Sequence, residues 1–146
     1  MTNTNINYKR INALKLFLEV EKEDIKTIEY DNNTFICGNG EYMVLTDLEA
    51  TKQAKNYIKE SLWAFNKNFI MSNLNSRFNN MDEEIVENII DIAQEKYEDG
   101  NDSIKSIIRI NDFIKDAIMC DGRGHFISSY DGEEQEQGNY YIYRTN

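Results

Sequence analysis

The stretch from Lys26 to Leu45 constrains the fold most. It holds three short extended runs, Lys26–Tyr30, Thr34–Cys37 and Glu41–Leu45, separated by Asp31-Asn32-Asn33 and Gly38-Asn39-Gly40. Asn, Asp and Gly tolerate the left-handed backbone that tight turns require. The pattern therefore predicts a β-meander. Elsewhere the apolar spacing lengthens to the helical period, so the meander must find its cover in helices.

One helix precedes it. Over Ile6–Val20 the apolar positions Ile11, Leu14, Phe17 and Leu18 form a single stripe. After the meander, Thr46-Asp47-Leu48-Glu49 has the form of a capping box, in which hydroxyl and carboxylate satisfy the first backbone donors of a helix. The helix it opens carries Ala50, Ala54, Tyr57, Ile58, Ser61, Leu62 and Phe65 on one face, and a short turn or helix is expected over Asn66–Leu74.

A third helix is expected to start from Asn79 or Asn80 and to end at Gly100. Its inward stripe is Ile85, Ile89, Ile92, Ala93 and Tyr97, broadened by Val86 and Ile90. A fourth runs from Asp102 to about Met119, with an apolar face wide enough for a mostly buried position. Two strands close the chain, about His125–Tyr130 and Asn139–Arg144, joined by a loop that opens with Asp131-Gly132. The expectation is a single acidic α+β domain over residues 1–146. In it a small antiparallel sheet, an N-terminal meander plus a C-terminal hairpin, packs against about four helices.

Charge decides which partners are plausible. Sixteen basic residues oppose 26 acidic ones, a net charge of −10. Binding to a nucleic-acid backbone rests on phosphate neutralisation, and an anionic membrane surface selects the same sign. Neither direct nucleic acid nor membrane is therefore an expected partner. A protein with a basic nucleic-acid-binding surface is, although the charge also serves solubility. Cys37 and Cys120 form no CxxC, and with His125 they fall short of the four ligands of structural zinc. No metal site and no cofactor are expected, and the thiols read as buried and free. No apolar run approaches the ~20 residues of a membrane span, and the polar start Met1-Thr2-Asn3-Thr4-Asn5 lacks a signal-peptide pattern. A cytoplasmic location, in a bacterial host cell, is the expectation.

Three features compete as functional sites. The first is the acidic helix. Glu84, Glu87, Asp91, Glu95 and Glu98 fall along one line of it, with neighbours roughly 4.5–6 Å apart. Phosphates on a strand recur at a similar order of spacing, so the row has the form of a DNA mimic. It is also what the solvated face of a helix in an acidic protein looks like. The second is Asp121-Gly122-Arg123-Gly124-His125-Phe126, where Arg123 and His125 have the chemistry for anion binding or acid–base work. No triad partner for His125 is evident, and a glycine cap leading into a hairpin explains the loop as well. The third is Tyr140-Tyr141-Ile142-Tyr143-Arg144, in which alternation puts Tyr141 and Tyr143 on one face. They serve either a partner or the core. No residue is assigned a catalytic role.

Two blocks carry a resemblance. Tyr42–Asp47 with Ser61-Leu62-Trp63-Ala64-Phe65-Asn66, and Asp121–Glu134 with Tyr140–Arg144, resemble small phage and prophage proteins of undefined function. The richness in Ile, Asn, Lys and Tyr fits AT-rich codons. The resemblance implies a phage protein and transfers no catalytic role. With the acidic surface it leads to one expectation: an anti-CRISPR or anti-restriction type inhibitor that occludes a basic groove of a host defence system. An accessory enzyme built on Arg123 and His125, or a structural or regulatory homo-oligomer, are the alternatives.

Overall fold

The structure, a computed structural model, describes residues 2–146, with side chains from Asn7 onward. In chain order the elements are α1 (Thr2–Leu18), β1 (Ile25–Ile28), β2 (Asp31–Cys37), β3 (Gly40–Leu45), α2 (Asp47–Glu60), α3 (Lys67–Met71) and α4 (Ser76–Asn79). Then come α5 (Glu83–Glu95), α6 (Asn101–Ile107), α7 (Ile110–Asp121), α8 (Arg123–Ile127), β4 (Gln135–Gln137) and β5 (Tyr140–Arg144). The fold is α+β, with a five-stranded sheet of order β1-β2-β3-β5-β4 in which every pairing is antiparallel. The chain divides into two compact units. One runs to Ala54 and takes up again from Gly122 to Asn146; the other is Lys55–Asp121.

The first unit holds the sheet. The meander forms, but its first turn is Glu29-Tyr30, with Tyr30 at φ 71°, and Asp31-Asn32-Asn33, expected as the turn, opens β2 instead. Phe35 lies opposite Tyr42, and β5 adds to the far side of β3 with Ile142 opposite Val44. Leu14 and Ala13 of α1 pack with Ile25, Phe35, Tyr42, Val44 and Ile142. The capping box at the start of α2 is present: Thr46 N–H donates to Glu49 Oε1 at 2.8 Å, and Glu49 N–H donates to Thr46 Oγ1 at 3.3 Å. Glu49 has a second task. Buried Arg10 forks onto it through Nη1 and Nη2 at 2.8 and 2.9 Å, and Nη1 also donates to Val44 O at 2.6 Å.

The second unit is helical. Its buried side chains include Ile58, Leu62, Ile70, Val86, Ile90, Ala93, Ile104, Ile107 and Phe113. Phe65, Phe69 and Phe113 meet ring to ring at centroid distances of 4.8–5.5 Å.

Four further expectations need correction. The helix expected from Asp102 to Met119 is two helices, α6 and α7. At the break Ile108 is extended (φ −109°, ψ 164°) and bridges to Leu74. There Asn75 N–H donates to Ile107 O and Arg109 N–H to Asn73 O, both at 2.9 Å, which supplies partners a continued helix would have provided. Ile107 and Ile108 are both buried, so the apolar pattern runs through the break unmarked. Second, His125–Tyr130 is no strand. Residues Arg123–Ile127 form α8, and the final hairpin is β4–β5, turning at Gly138 with φ 61°.

Third, α5 is capped by Asp82, whose Oδ1 accepts from Glu84 N–H at 2.9 Å, rather than by Asn79 or Asn80. The helix ends at Glu95, and a 3-10 turn, Tyr97–Gly100, follows it. Its buried line is Val86, Ile90 and Ala93, while Ile85 and Ile92 are more than half exposed. Fourth, the free thiols are not buried: Cys120 is exposed, and Cys37 is half-buried at the edge of the sheet's core.

Candidate functional site

Glu84, Asp91 and Glu95 stand exposed along α5, Glu87 is half-buried beside them, and Glu98 is exposed on the 3-10 turn beyond the helix. The row is thus mostly solvated. Among the described residues one ion pair touches it, Lys67 Nζ to Asp91 Oδ1 at 3.2 Å. Sequence reading missed what lies next to the row. Ile85, Ile89 and Ile92 form an adjacent line at i, i+4 and i+7, two of them exposed and Ile89 half-buried. The outward face of α5 is therefore half acidic and half apolar. The signal was present in the spacing, but the apolar residues span nearly half of the circumference, wider than the line that is buried, and the period alone cannot say which edge of that arc turns inward.

Arg123 is held, not free. Its Nη1 donates to Asp47 Oδ1 at 2.7 Å, to Asp47 O at 3.0 Å and to Thr51 Oγ1 at 3.1 Å. Its Nε donates to Glu134 Oε1 at 2.8 Å, and the guanidinium lies over Tyr141, 4.7 Å from the ring centroid. The side chain is only 12% exposed. Burial opposes its charge, but the bonds to Glu134 and Asp47 outweigh burial and raise its pKa beyond even the usual arginine range. Glu134 also accepts from the Tyr143 hydroxyl. Burial, then that bond and the Glu134 charge, push the Tyr143 phenol well above the ordinary tyrosine value.

This network gives the glycines their roles. Gly122 takes φ 81°, a left-handed geometry that turns the chain from α7 into α8. A Cβ on Gly124 would lie 2.5 Å from Gly132 O, so the close approach this glycine permits is by the chain's own 132–134 loop. Tyr143 is fully buried, which makes it a core residue of the sheet and removes it from any partner surface. Tyr141 is half-buried beneath Arg123. His125 is exposed, edge-on to Phe126 at 4.9 Å. Ser128 belongs to the turn that follows, with Oγ donating to Arg144 O at 2.5 Å. Asp47 and Glu134, far from Arg123 in sequence, carried no local signal of this role.

Among the described residues no group of three or more His, Cys, Asp or Glu is placed to hold a metal ion. Nor is any helix there long and apolar enough to cross a membrane.

No family model matches the chain, and no solved structure does. Among curated proteins it is similar to an enolase-phosphatase E1 from Hydrogenobaculum sp., 29% identical over 86 residues. That alignment covers 56% of this chain and 38% of the enolase-phosphatase, so the chain spans well under half the length of that relative.

Proposed function

We propose that the chain is a phage-encoded binding protein that inhibits a host nucleic-acid-handling defence system, of the anti-CRISPR or anti-restriction type, by covering a basic groove. The observation that carries this reading is the outward face of α5. It presents Glu84, Asp91 and Glu95 to solvent beside the exposed Ile85 and Ile92. A row of carboxylates steers a basic partner and sets its register. The apolar line alongside gives such an encounter area to bury. The net charge of −10 acts in the same direction at long range.

The accessory-enzyme reading loses its main residue, because Arg123 has its Nε and Nη1 donors committed within the fold. Inhibition by occlusion needs no turnover. The test is phage plating on bacteria that carry a CRISPR or restriction system, with and without the chain expressed. Restored plaque formation is expected in at least one such system. Unchanged plating across both classes, with the protein expressed and folded, would refute the proposal.

A further inference from the structure

The second unit contains a groove of about 660 Å³ whose walls include Tyr57, Glu60, Trp63, Glu98 and Asn101. Its floor is held from both sides. Asn101 Oδ1 accepts from Trp63 N–H at 2.9 Å, and Asn101 Nδ2 donates to Glu60 O at 2.6 Å. Gln94 Nε2 donates to Trp63 O at 3.2 Å and to Phe65 O at 2.7 Å. Two side-chain amides from other segments thus fix the backbone on which the indole sits.

Tyr97 stands edge-on to that indole, with centroids 5.1 Å apart and planes at 82°. It does so from a left-handed backbone, φ 53°, that a tyrosine rarely adopts. Strained residues of this kind persist where the surroundings over-determine them, and they cluster at binding sites. Three residues on, a Cβ at Gly100 would lie 1.9 Å from Ala93 O, so only glycine lets this corner close.

The chemistry of the walls selects the occupant. Trp63 is half-buried and Tyr57 about half exposed, while the Glu60 and Glu98 side chains are exposed. Among the described residues neither carboxylate is in an ion pair. An anion is repelled here, and a neutral apolar guest gains nothing from the two carboxylates. A planar cation suits both surfaces: it stacks on aromatic rings and presents a fork of donors to carboxylates.

We propose that the groove receives an arginine side chain from the basic surface of the partner. The guanidinium lies against Trp63 and Tyr57, and Glu60 and Glu98 accept its hydrogen bonds. This rests on the reading of the chain as a binder of a basic protein and names a second contact for it.

Trp63 is the single tryptophan of the chain, so its fluorescence reports on this groove directly. The probe is a blocked tripeptide, glycyl-arginyl-glycine, titrated into the full chain beside its lysine and citrulline counterparts. A saturable change with arginine is expected, weaker with lysine and absent with the neutral citrulline. Glu60→Gln and Glu98→Gln, both at exposed positions, should each weaken the response roughly threefold while leaving far-UV circular dichroism unchanged. Neutralising Glu84, Glu87, Asp91 and Glu95 should leave the response intact, which separates this groove from the α5 face. A flat arginine titration, an equal response to citrulline or to lysine, or full binding by both Gln variants would overturn the proposal.

Discussion

Replacing Arg123 by Met keeps an unbranched apolar side chain and removes the guanidinium. Four bonds of the guanidinium are lost, the strongest being those to the carboxylates of Glu134 at 2.8 Å and Asp47 at 2.7 Å, the others those to Asp47 O and Thr51 Oγ1. The Asp47 side chain is 70% exposed, so water takes over much of that contact and its share falls below about 1 kcal/mol. Glu134 is a third exposed and keeps its bond from Tyr143, which limits its loss to about 1–2 kcal/mol. The cation over Tyr141 adds about 0.5–1 kcal/mol. The expected total is about 2–3 kcal/mol, a fall in Tm of roughly 5–10 °C for a chain this size. Arg123→Lys retains the charge but not the fork, and should lose about half as much. Urea unfolding followed by circular dichroism measures both. A Met variant within 0.5 kcal/mol of wild type would refute the reasoning. A Met variant of full stability that no longer protects phage would return Arg123 to the functional surface.

Two further predictions concern pH. Tyr143 is held neutral in the fold, so its contribution is fully present below the unfolded tyrosine pKa of about 10 and is lost as pH rises from there towards the raised folded value. Wild type should therefore lose stability above about pH 10 faster than Tyr143→Phe; parallel curves would contradict this. Burial pushes the Glu49 carboxyl up, but the Arg10 bonds, the Thr46 N–H and the Arg10 charge hold it below the ordinary glutamate value. Its contribution is present above that ordinary value and is lost as pH falls through the lowered one. Glu49→Gln should cost about 1–2 kcal/mol at neutral pH, discounted from a fully buried pair because Glu49 is 36% exposed. The cost should vanish in acid, and a difference that stays constant down to pH 2 would oppose the assignment.

What was legible in the sequence was what local chemistry decides. The turn at Gly38-Asn39, the Thr46/Glu49 capping box and the buried positions Ala50, Ala54 and Ile58 of α2 are short-range patterns that appear in place. The first hairpin, by contrast, turns at Glu29-Tyr30 with Asp31–Asn33 inside β2, and Tyr57 of the expected stripe is exposed. Misreadings arose where a distant segment settled the outcome. Leu74 bridges Ile108 and splits a continuous apolar pattern into two helices. The DGRGHF segment, read as a loop entering a strand, forms a short helix from which Arg123 reaches Asp47 and Glu134. On α5 the acidic row is on the solvated side, as the spacing predicts, yet three isoleucines expected inward lie beside it, two of them exposed. Trp63 was visible only as part of a motif. The groove around it needs Glu98 and Asn101, which no local pattern connects to the indole.

The central claim is that the face of α5 meets a basic partner. Glu84, Glu87 and Glu95 are replaced by Gln and Asp91 by Asn, removing four charges at nearly constant size. Helix repulsion at i, i+4 falls by a few tenths of a kcal/mol per pair while the Lys67–Asp91 bridge is lost, so stability should change by less than about 0.5 kcal/mol. The measurement is the association rate of wild type and quadruple variant with the purified defence protein, at low and at high salt. At low salt the variant should associate at least about tenfold more slowly, and the difference should shrink at high salt, because steering charges act on the encounter and are screened. Equal association rates at low salt would contradict the account.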